Sequence, residues 1–127
     1  MIQTTPCPFC TLPTGREIIA ESATAFAILD KFPVSKGHAL VIPNRHVSNY
    51  FDLTLQEQTD CLNLMNEVKA ILQKQFNPDG FNVGINIHAA AGQTVPHAHI
   101  HLIPRYQDDV QKPRGGVRGV IPGKQAY

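Results

Sequence analysis

The sequence predicts an α+β fold with a largely antiparallel sheet. Strand-forming segments come in two groups, one before and one after a single long amphipathic helix, and this order is typical of α+β domains. The chain has 127 residues, enough for one domain with a sizeable buried core. We therefore expect one domain over residues 1–127, with a turn-rich knuckle at 1–15 and an irregular basic tail at 107–127.

The first group contains three predicted strands. They cover residues 16–21, 24–30 and 38–42, where apolar side chains cluster between turn residues. Pro43 stops the third strand, because proline has no amide hydrogen to offer a sheet ladder. Ahead of the strands, residues 6–15 combine three prolines with two cysteines and a glycine, and they predict the knuckle.

Residues 54–76 predict the helix. Thr54 can cap its first turn, and Glu57 stands three residues later, as in a capping box. Turn residues at 77–80 end it. Apolar side chains recur at steps of three and four residues and are expected to pack against the sheet: Leu62, Met65, Val68, Leu72 and Phe76.

The second group contains two predicted strands, at residues 81–86 and 97–103. The loop between them, at 87–95, consists mainly of small residues. The tail after residue 106 carries lysines and arginines between glycines and prolines. It is either disordered or a strap that lies across a dimer and brings Arg114 or Arg118 near substrate phosphates.

Charge and composition exclude several classes of partner. The net charge is +1 with histidine neutral, and no stripe of basic and aromatic residues is present, so we expect no nucleic-acid partner. No apolar run approaches the roughly 20 residues that cross a bilayer, so we expect no membrane partner. The N-terminus lacks the layout of a signal peptide, which predicts a cytoplasmic protein. Three cysteines, an odd number, leave metal binding or free thiols.

Three histidines alternate with apolar residues in the last predicted strand. Because successive side chains of a strand point to opposite faces, we expect the histidines on one face and the residues between them in the core. Such a row indicates either a metal site or a histidine nucleophile that attacks phosphorus. The loop at 90–95 favours the nucleophile, since its glycine permits close backbone approach and its glutamine and threonine offer neutral donors. The histidines are His97, His99 and His101, and the core residues are Ala98, Ile100 and Leu102.

These motifs resemble the histidine-triad family, in particular its bacterial zinc-containing members. Residues 97–103 resemble the family signature of histidines alternating with hydrophobic residues, and residues 92–97 resemble the stretch before it. Residues 37–43 and 81–86 resemble two further blocks of the family. The resemblance covers about residues 6–105. It implies a five-stranded, mainly antiparallel sheet with one long helix, and a twofold homodimer in which two sheets join into one.

The resemblance also implies a hydrolase that acts at the α-phosphate of an AMP-containing nucleotide through a nucleotidyl-histidine intermediate. His99 matches the nucleophile, His101 a phosphate contact that supports departure of the leaving group, and His38 a fourth histidine packed against the triad. We expect a hydrogen bond from the other ring nitrogen of His99 to a backbone carbonyl. The implied nucleotide contacts are Asp30 for the ribose hydroxyls, Ile28 for the base, and Asn86, Gly92, Gln93, Thr94 and His101 for the phosphates and leaving group.

Cys7 and Cys10 form a Cys-x2-Cys knuckle, which supplies half of a tetrahedral zinc site. His46, after the third strand, and His97 are candidates for the other half, and the resemblance implies this set of four. We expect a structural zinc there and no organic cofactor, with two free thiols as the alternative. Cys61 lies on the helix and is expected in the core.

The substrate class stays open at this point. The leading interpretation is a dinucleoside polyphosphate, favoured by residues 92–97 and by Pro104 and Arg105. The alternatives are a nucleoside phosphoramidate such as adenylated lysine, a non-catalytic nucleotide sensor, and a metallohydrolase that uses the triad as ligands. Arg105 and two arginines of the tail, Arg114 and Arg118, are candidates to approach substrate phosphates.

One residue departs from the family pattern. Many relatives follow the Asn86 position with an acidic residue and a glycine, whereas this chain has Ile87 and His88. His88 is either an exposed loop residue or a determinant of leaving-group preference.

Overall fold

The computed structural model describes residues 7–127, so the first six residues of the predicted knuckle lie outside the described residues. Five strands form one sheet in the order β1-β2-β3-β5-β4, and every neighbouring pair is antiparallel. The strands are β1 (Ile18–Glu21), β2 (Ala25–Leu29), β3 (Ala39–Pro43), β4 (Gly80–Gly84) and β5 (Ile100–Arg105). Helix α1 (Leu55–Phe76) connects β3 to β4. The predicted α+β fold is therefore confirmed.

Helix α1 begins at the predicted capping box. The Thr54 hydroxyl accepts a hydrogen bond from the Glu57 amide at 3.1 Å, and the Glu57 carboxylate accepts one from the Thr54 amide at 2.9 Å. Asn77 ends the helix in the left-handed conformation, with φ of 51°. Among the described residues, no helix is both long enough and apolar enough to span a membrane.

The apolar face of α1 differs from the predicted stripe at one position. Leu62 is 45% exposed, whereas Cys61 is fully buried, so the prediction for Leu62 is wrong and that for Cys61 is confirmed. Cys61 and Leu62 both lie three or four residues before other apolar residues of the helix, so the repeat alone does not decide which of them is buried. Packing of the helix against the sheet decides it. The buried face consists of Cys61, Leu64, Val68 and Leu72, with Met65 and Phe76 partly buried beside it.

The two faces of the sheet carry different layers. Ala25 and Ala27 of β2 pack into the cluster under α1, while Phe26 and Ile28 join a second cluster that contains Cys7 and Phe9 of the knuckle. The side chains of β3 and β5 also alternate between the two faces of the sheet. Ile100 and Leu102 lie on the α1 side, so the intervening His101 lies on the knuckle side. The histidine face therefore belongs to the side of the sheet opposite the helix.

The last strand begins later than the sequence predicts. β5 starts at Ile100, which pairs with Val41 of β3, and continues to Arg105. Before it, the Ala98 amide donates to the carbonyl of Val47 at 2.7 Å rather than to a neighbouring strand. Ala98, Ile100 and Leu102 are buried as predicted. His97 and His99 therefore lie outside the ladder, just before β5 begins.

The segment before β3 rests on the end of α1. Gly37 has φ of +89°, and a Cβ atom there would lie 2.8 Å from the Phe76 ring. Both the backbone conformation and the close approach therefore require glycine at this turn.

The C-terminal residues form a folded strap, defined here as residues 112–127. A single 3-10 turn at Gly116–Val120 packs against β4. The Gln125 carbonyl accepts from the Arg118 side chain at 3.2 Å, and Arg114 and Arg118 both lie over the Tyr127 ring, 4.8 Å from its centroid. The tail is therefore ordered against β4 of its own chain, while its predicted path across a dimer stays a prediction.

Candidate functional site

A cavity of about 400 Å³, called here the first cavity, opens on the knuckle side of the sheet beside His99 and His101. Four other predicted site residues line it: Asp30, Asn86, Gly92 and Thr94. Sequence reasoning missed the rest of its wall, which contains Pro8, Phe9, Pro13, Arg16, Lys31, Phe32, Leu40 and Val95. The three prolines and the single phenylalanine of the knuckle were the available signal for part of this apolar wall.

Three predicted site residues lie elsewhere. Ile28 is fully buried in the second core cluster and does not reach the cavity wall, where Leu40 of the neighbouring strand stands instead. The Gln93 amide nitrogen donates to the carbonyls of Ser48 and Val95 at 2.8 and 3.1 Å, so this side chain organises its own loop. His38 is buried behind His101.

His99 has the geometry of a nucleophile. Its Nδ1 atom lies 2.9 Å from the carbonyl oxygen of His97, which can only accept, so Nδ1 carries the proton. In the neutral ring Nε2 therefore keeps its lone pair. This is the predicted hydrogen bond to a backbone carbonyl. The ring is 8% exposed and packs edge-on against Phe9, with centroids 5.2 Å apart.

One backbone amide fixes the tautomers of the two neighbouring histidines. The Val34 amide donates to Nδ1 of His38 at 3.1 Å, so in the neutral ring the proton of His38 is on Nε2. This Nε2–H group donates a hydrogen bond to Nδ1 of His101, 2.9 Å away. His101 therefore carries its own proton on Nε2, where it can donate to a ligand in the cavity.

Burial keeps these imidazoles uncharged. Desolvation lowers the pKa of His101 to about 4, reinforced by His99 and His38 and opposed by Asp30. Desolvation also lowers the pKa of His38, again opposed by Asp30. Both rings are thus neutral near pH 7 and act as hydrogen-bond donors rather than as cations.

Asp30 lies at the junction of the cavity and the histidine pair. One carboxylate oxygen accepts from the Phe32 amide at 2.9 Å, and the other lies 3.4 Å from Nε2 of His38. The ligand atoms of Asp30, His38 and His101 are close enough to hold a metal ion. The Val34 amide argues against one, because it leaves the proton on the His38 nitrogen that would have to coordinate.

A second cluster has the composition of a tetrahedral metal site. The ligand atoms of Cys7, Cys10, His46 and His97 lie within 4.8 Å of one another, and these are the four residues predicted as ligands. The Cys7 and Cys10 sulfurs lie 3.4 and 3.5 Å from Nδ1 of His97. The Cys10 sulfur lies 3.1 Å from Nδ1 of His46.

The two sulfur–nitrogen separations at His97 fit a zinc ion, while the 3.1 Å between Cys10 and His46 is shorter than the tetrahedral distance. Sulfur about 2.3 Å and nitrogen about 2.0 Å from a tetrahedral ion lie about 3.3 to 3.6 Å from each other. His97 donates through Nε2 to the Pro43 carbonyl at 2.7 Å, which leaves Nδ1 unprotonated and aimed at the cluster. The two Nδ1 atoms of His46 and His97 lie 3.2 Å apart, a contact that a shared cation stabilises. The residues present therefore could hold a metal ion.

None of the three arginines named from the sequence lines the first cavity. Arg105 makes a bidentate ion pair with Asp109, both contacts at 2.8 Å, and donates to Asn82 at 2.6 Å. Arg114 and Arg118 are held over the Tyr127 ring. The guanidinium groups are thus engaged within the tail and at the end of β5.

His88 lies beside the 47–50 loop rather than in the cavity wall. Its Nε2 atom is 3.4 Å from the side-chain Nδ2 atom of Asn49, and its backbone has φ of 70° and ψ of 163°. Non-glycine residues rarely adopt this conformation, so the position is strained. A glycine, as in the family pattern, would fit without strain.

Comparisons with known proteins agree with this geometry. Residues 14–108 match the HIT domain. The bis(5′-nucleosyl)-tetraphosphatase (asymmetrical) of Schizosaccharomyces pombe is 38% identical over 101 residues, which are 80% of this chain and 56% of that protein. The chain thus spans little more than half the length of this relative.

Two solved structures share the fold. A HIT family protein from Bacillus anthracis is 37% identical with a TM-score of 0.74, over 84% of this chain and 81% of that one. A Zn-bound histidine triad family protein from Mycobacterium smegmatis is 31% identical with a TM-score of 0.74, over 84% of this chain and 79% of that one.

Proposed function

Because the chain belongs to the HIT domain family, we propose that it is a nucleotide hydrolase that cleaves dinucleoside polyphosphates at the α-phosphate. The observation that carries this proposal is the His99 ring, held by the His97 carbonyl with its Nε2 lone pair free beside a nucleotide-sized cavity. The activity named for the Schizosaccharomyces pombe relative supports the substrate class.

In the first step Nε2 of His99 attacks the α-phosphorus. A P–N bond forms, the bond from phosphorus to the bridging oxygen breaks, and the leaving group departs with the electron pair. The adducted ring is then cationic, since Nδ1 keeps its proton. The His97 carbonyl, 2.9 Å from Nδ1, stabilises that charge. In the second step water attacks phosphorus and gives up a proton to solvent, the P–N bond breaks, and the ring recovers its lone pair.

The neutral His101 favours a polyphosphate over an amine as leaving group. A nucleoside polyphosphate departs as an anion and needs hydrogen bonds, which Nε2–H of His101 can supply. An amine has to be protonated as it leaves, and a group whose pKa is lowered to about 4 is rarely a cationic acid near pH 7. Asp30 accepts from ribose hydroxyls in this proposal, and Phe9 and Phe32 border the base.

Mass spectrometry of protein quenched during turnover of diadenosine tetraphosphate tests the proposal. We expect one AMP unit on the peptide that contains His99, and no such adduct in His99→Ala. A His99→Ala variant with wild-type turnover would refute the covalent route. Binding of AMP without turnover of diadenosine tetraphosphate or adenylated lysine would favour the nucleotide sensor.

We propose that the cluster of Cys7, Cys10, His46 and His97 holds a structural zinc ion. All four positions are filled by protein ligands, which leaves no open position for a catalytic water. The zinc named in the Mycobacterium smegmatis structure supports the choice of metal. Zinc joins the knuckle to the segment that carries the nucleophile. Reduced thiolates are typical of cytoplasmic proteins, and this is the location we propose.

A homodimer is also part of the proposal. β4 is an edge strand, so its outer backbone groups can pair with a second copy. Leu62 of α1 is 45% exposed, and a partner would cover it. Light scattering after size exclusion should give twice the mass of one chain. In Leu62→Glu the measured mass should shift towards that of a single chain.

A further inference from the structure

A second cavity of about 420 Å³ lies on the other side of His101 from the first. The two cavities share two lining residues, His101 and Asn86. Both residues carry neutral groups that can donate hydrogen bonds, and His101 presents Nε2–H for the reason given above. The second cavity therefore adjoins the place where the α-phosphate is expected, and Asp30, which marks the nucleoside end, does not line it.

The C-terminal strap builds one wall of this cavity. Val117 and Val120 line it from the strap, and Val83 and Ile103 from β4 and β5. Gln125 closes the strap: a Cβ atom at Gly115 would lie 1.8 Å from the Gln125 carbonyl oxygen. The strap can therefore follow this path only with glycine at 115.

The lining of the second cavity is neutral and mainly apolar. Among the described residues that line it, none is aspartate, glutamate, lysine or arginine. Val34, Val117 and Val120 are 71%, 58% and 75% exposed. Contact of these apolar side chains with water is unfavourable unless an apolar group covers them. A cationic lysine leaving group would find no carboxylate there. A flat aromatic base would find apolar walls beside neutral donors.

We propose that the second cavity is a leaving-group subsite, in which the strap valines bind the nucleoside of the departing half of a dinucleoside polyphosphate. This inference rests on the proposed function, because it assumes cleavage at His99. Phosphates then pass His101 and Asn86, and the second nucleoside packs against Val117 and Val120. The strap thereby selects substrates with a nucleoside on both ends.

Two substrates with different leaving groups test the subsite. Diadenosine tetraphosphate carries a second nucleoside, whereas adenosine 5′-phosphofluoridate releases only fluoride. In Val117→Asn/Val120→Asn we expect KM for diadenosine tetraphosphate to rise at least fivefold, with kcat within twofold. The kcat/KM for the phosphofluoridate should stay within twofold of wild type. Gly115→Ala, which displaces the strap without changing a lining group, should show the same selective loss.

Val110→Asn is the matched control, because Val110 is an exposed valine of the same tail that does not line the second cavity. It should behave as wild type on both substrates. Equal losses on both substrates in the strap variants, or no loss on either, would overturn the subsite and leave the proposed function intact. Failure of the wild type to turn over either substrate would overturn both.

Discussion

Nε2 of His38 lies 2.9 Å from Nδ1 of His101, and one proton is shared between them. The Val34 amide, 3.1 Å from the far nitrogen of His38, decides that His38 is the donor. A backbone group outside the triad thus determines that the proton of His101 is on Nε2, the nitrogen that faces the substrate. The proton-bearing Nε2 of His101 is what the proposed chemistry requires.

Removal of the His38 donor should therefore lower kcat more than it raises KM. We expect His38→Leu to reduce kcat about tenfold to 100-fold, the range for loss of a residue that orients a functional side chain. His38→Gln, whose amide can still donate, should keep more activity. Nitrogen-15 NMR should show His101 as the Nε2–H tautomer in the wild type and as a mixture in His38→Leu. An unchanged tautomer in His38→Leu would contradict the assignment.

Protein stability should fall between about pH 6.5 and pH 4 because of His101. Its pKa is lowered to about 4 in the folded protein, against about 6.5 in the unfolded chain, so the unfolded chain binds more protons in this window. Stability therefore rises with pH there, by up to about 3 kcal/mol for this group. Urea unfolding at pH 4.5 and 7 should show a smaller difference in His101→Asn than in the wild type. Loss of metal at low pH affects both proteins and cancels in the comparison. Identical pH dependence would contradict the prediction.

Loss of the metal should destabilise the whole knuckle side of the sheet. We expect about one zinc ion per chain by elemental analysis, and a loss of about 3 kcal/mol or more of unfolding free energy after chelation or in Cys10→Ser. Cys61→Ala is the control, because Cys61 is a buried thiol outside the cluster. It should keep its zinc. Equal zinc content in Cys10→Ser and the wild type would refute this ligand set.

Relief of the strain at His88 should stabilise the protein. His88→Gly removes the penalty of φ at 70° and ψ at 163°, and we expect a gain of about 1 kcal/mol, reduced by the greater entropy of the unfolded chain. His88→Ala keeps the strain and loses the contact with Asn49, so it should be no more stable than wild type. Thermal unfolding measures both. An alanine variant as stable as the glycine variant would show that the backbone stores no strain here.

The fold was largely predictable from the sequence because most elements carry local signals. The capping box at Thr54 and Glu57 and the apolar strands on either side of α1 depend on nearby residues alone. The choice between Cys61 and Leu62 does not, since it depends on how the helix rests on the sheet. The start of β5 is similar, because the Ala98 amide bonds to Val47, a partner 51 residues away in the chain.

The candidate site was predictable where the residue type itself carries the chemistry. Alternating histidines and a Cys-x2-Cys pair indicated where the chemistry lies. The roles of His99 as nucleophile and of the four metal ligands were implied by the family resemblance and stay predictions. Gln93 was different, because an amide in a loop looks the same in sequence whether it meets a ligand or the carbonyls of Ser48 and Val95. The second cavity could not be predicted at all, since it exists only where the strap meets β4 and β5.

Gly37 and Phe76 tie the chemistry of the histidine face to the opposite side of the sheet. The residue after Gly37 is His38, so a displaced Phe76 ring would alter the turn that aims His38 at His101. A bulkier residue at position 76 should therefore displace this turn and with it the contact between His38 and His101. Position 37 should stay glycine in homologues whatever residue occupies position 76, because φ of +89° already requires it.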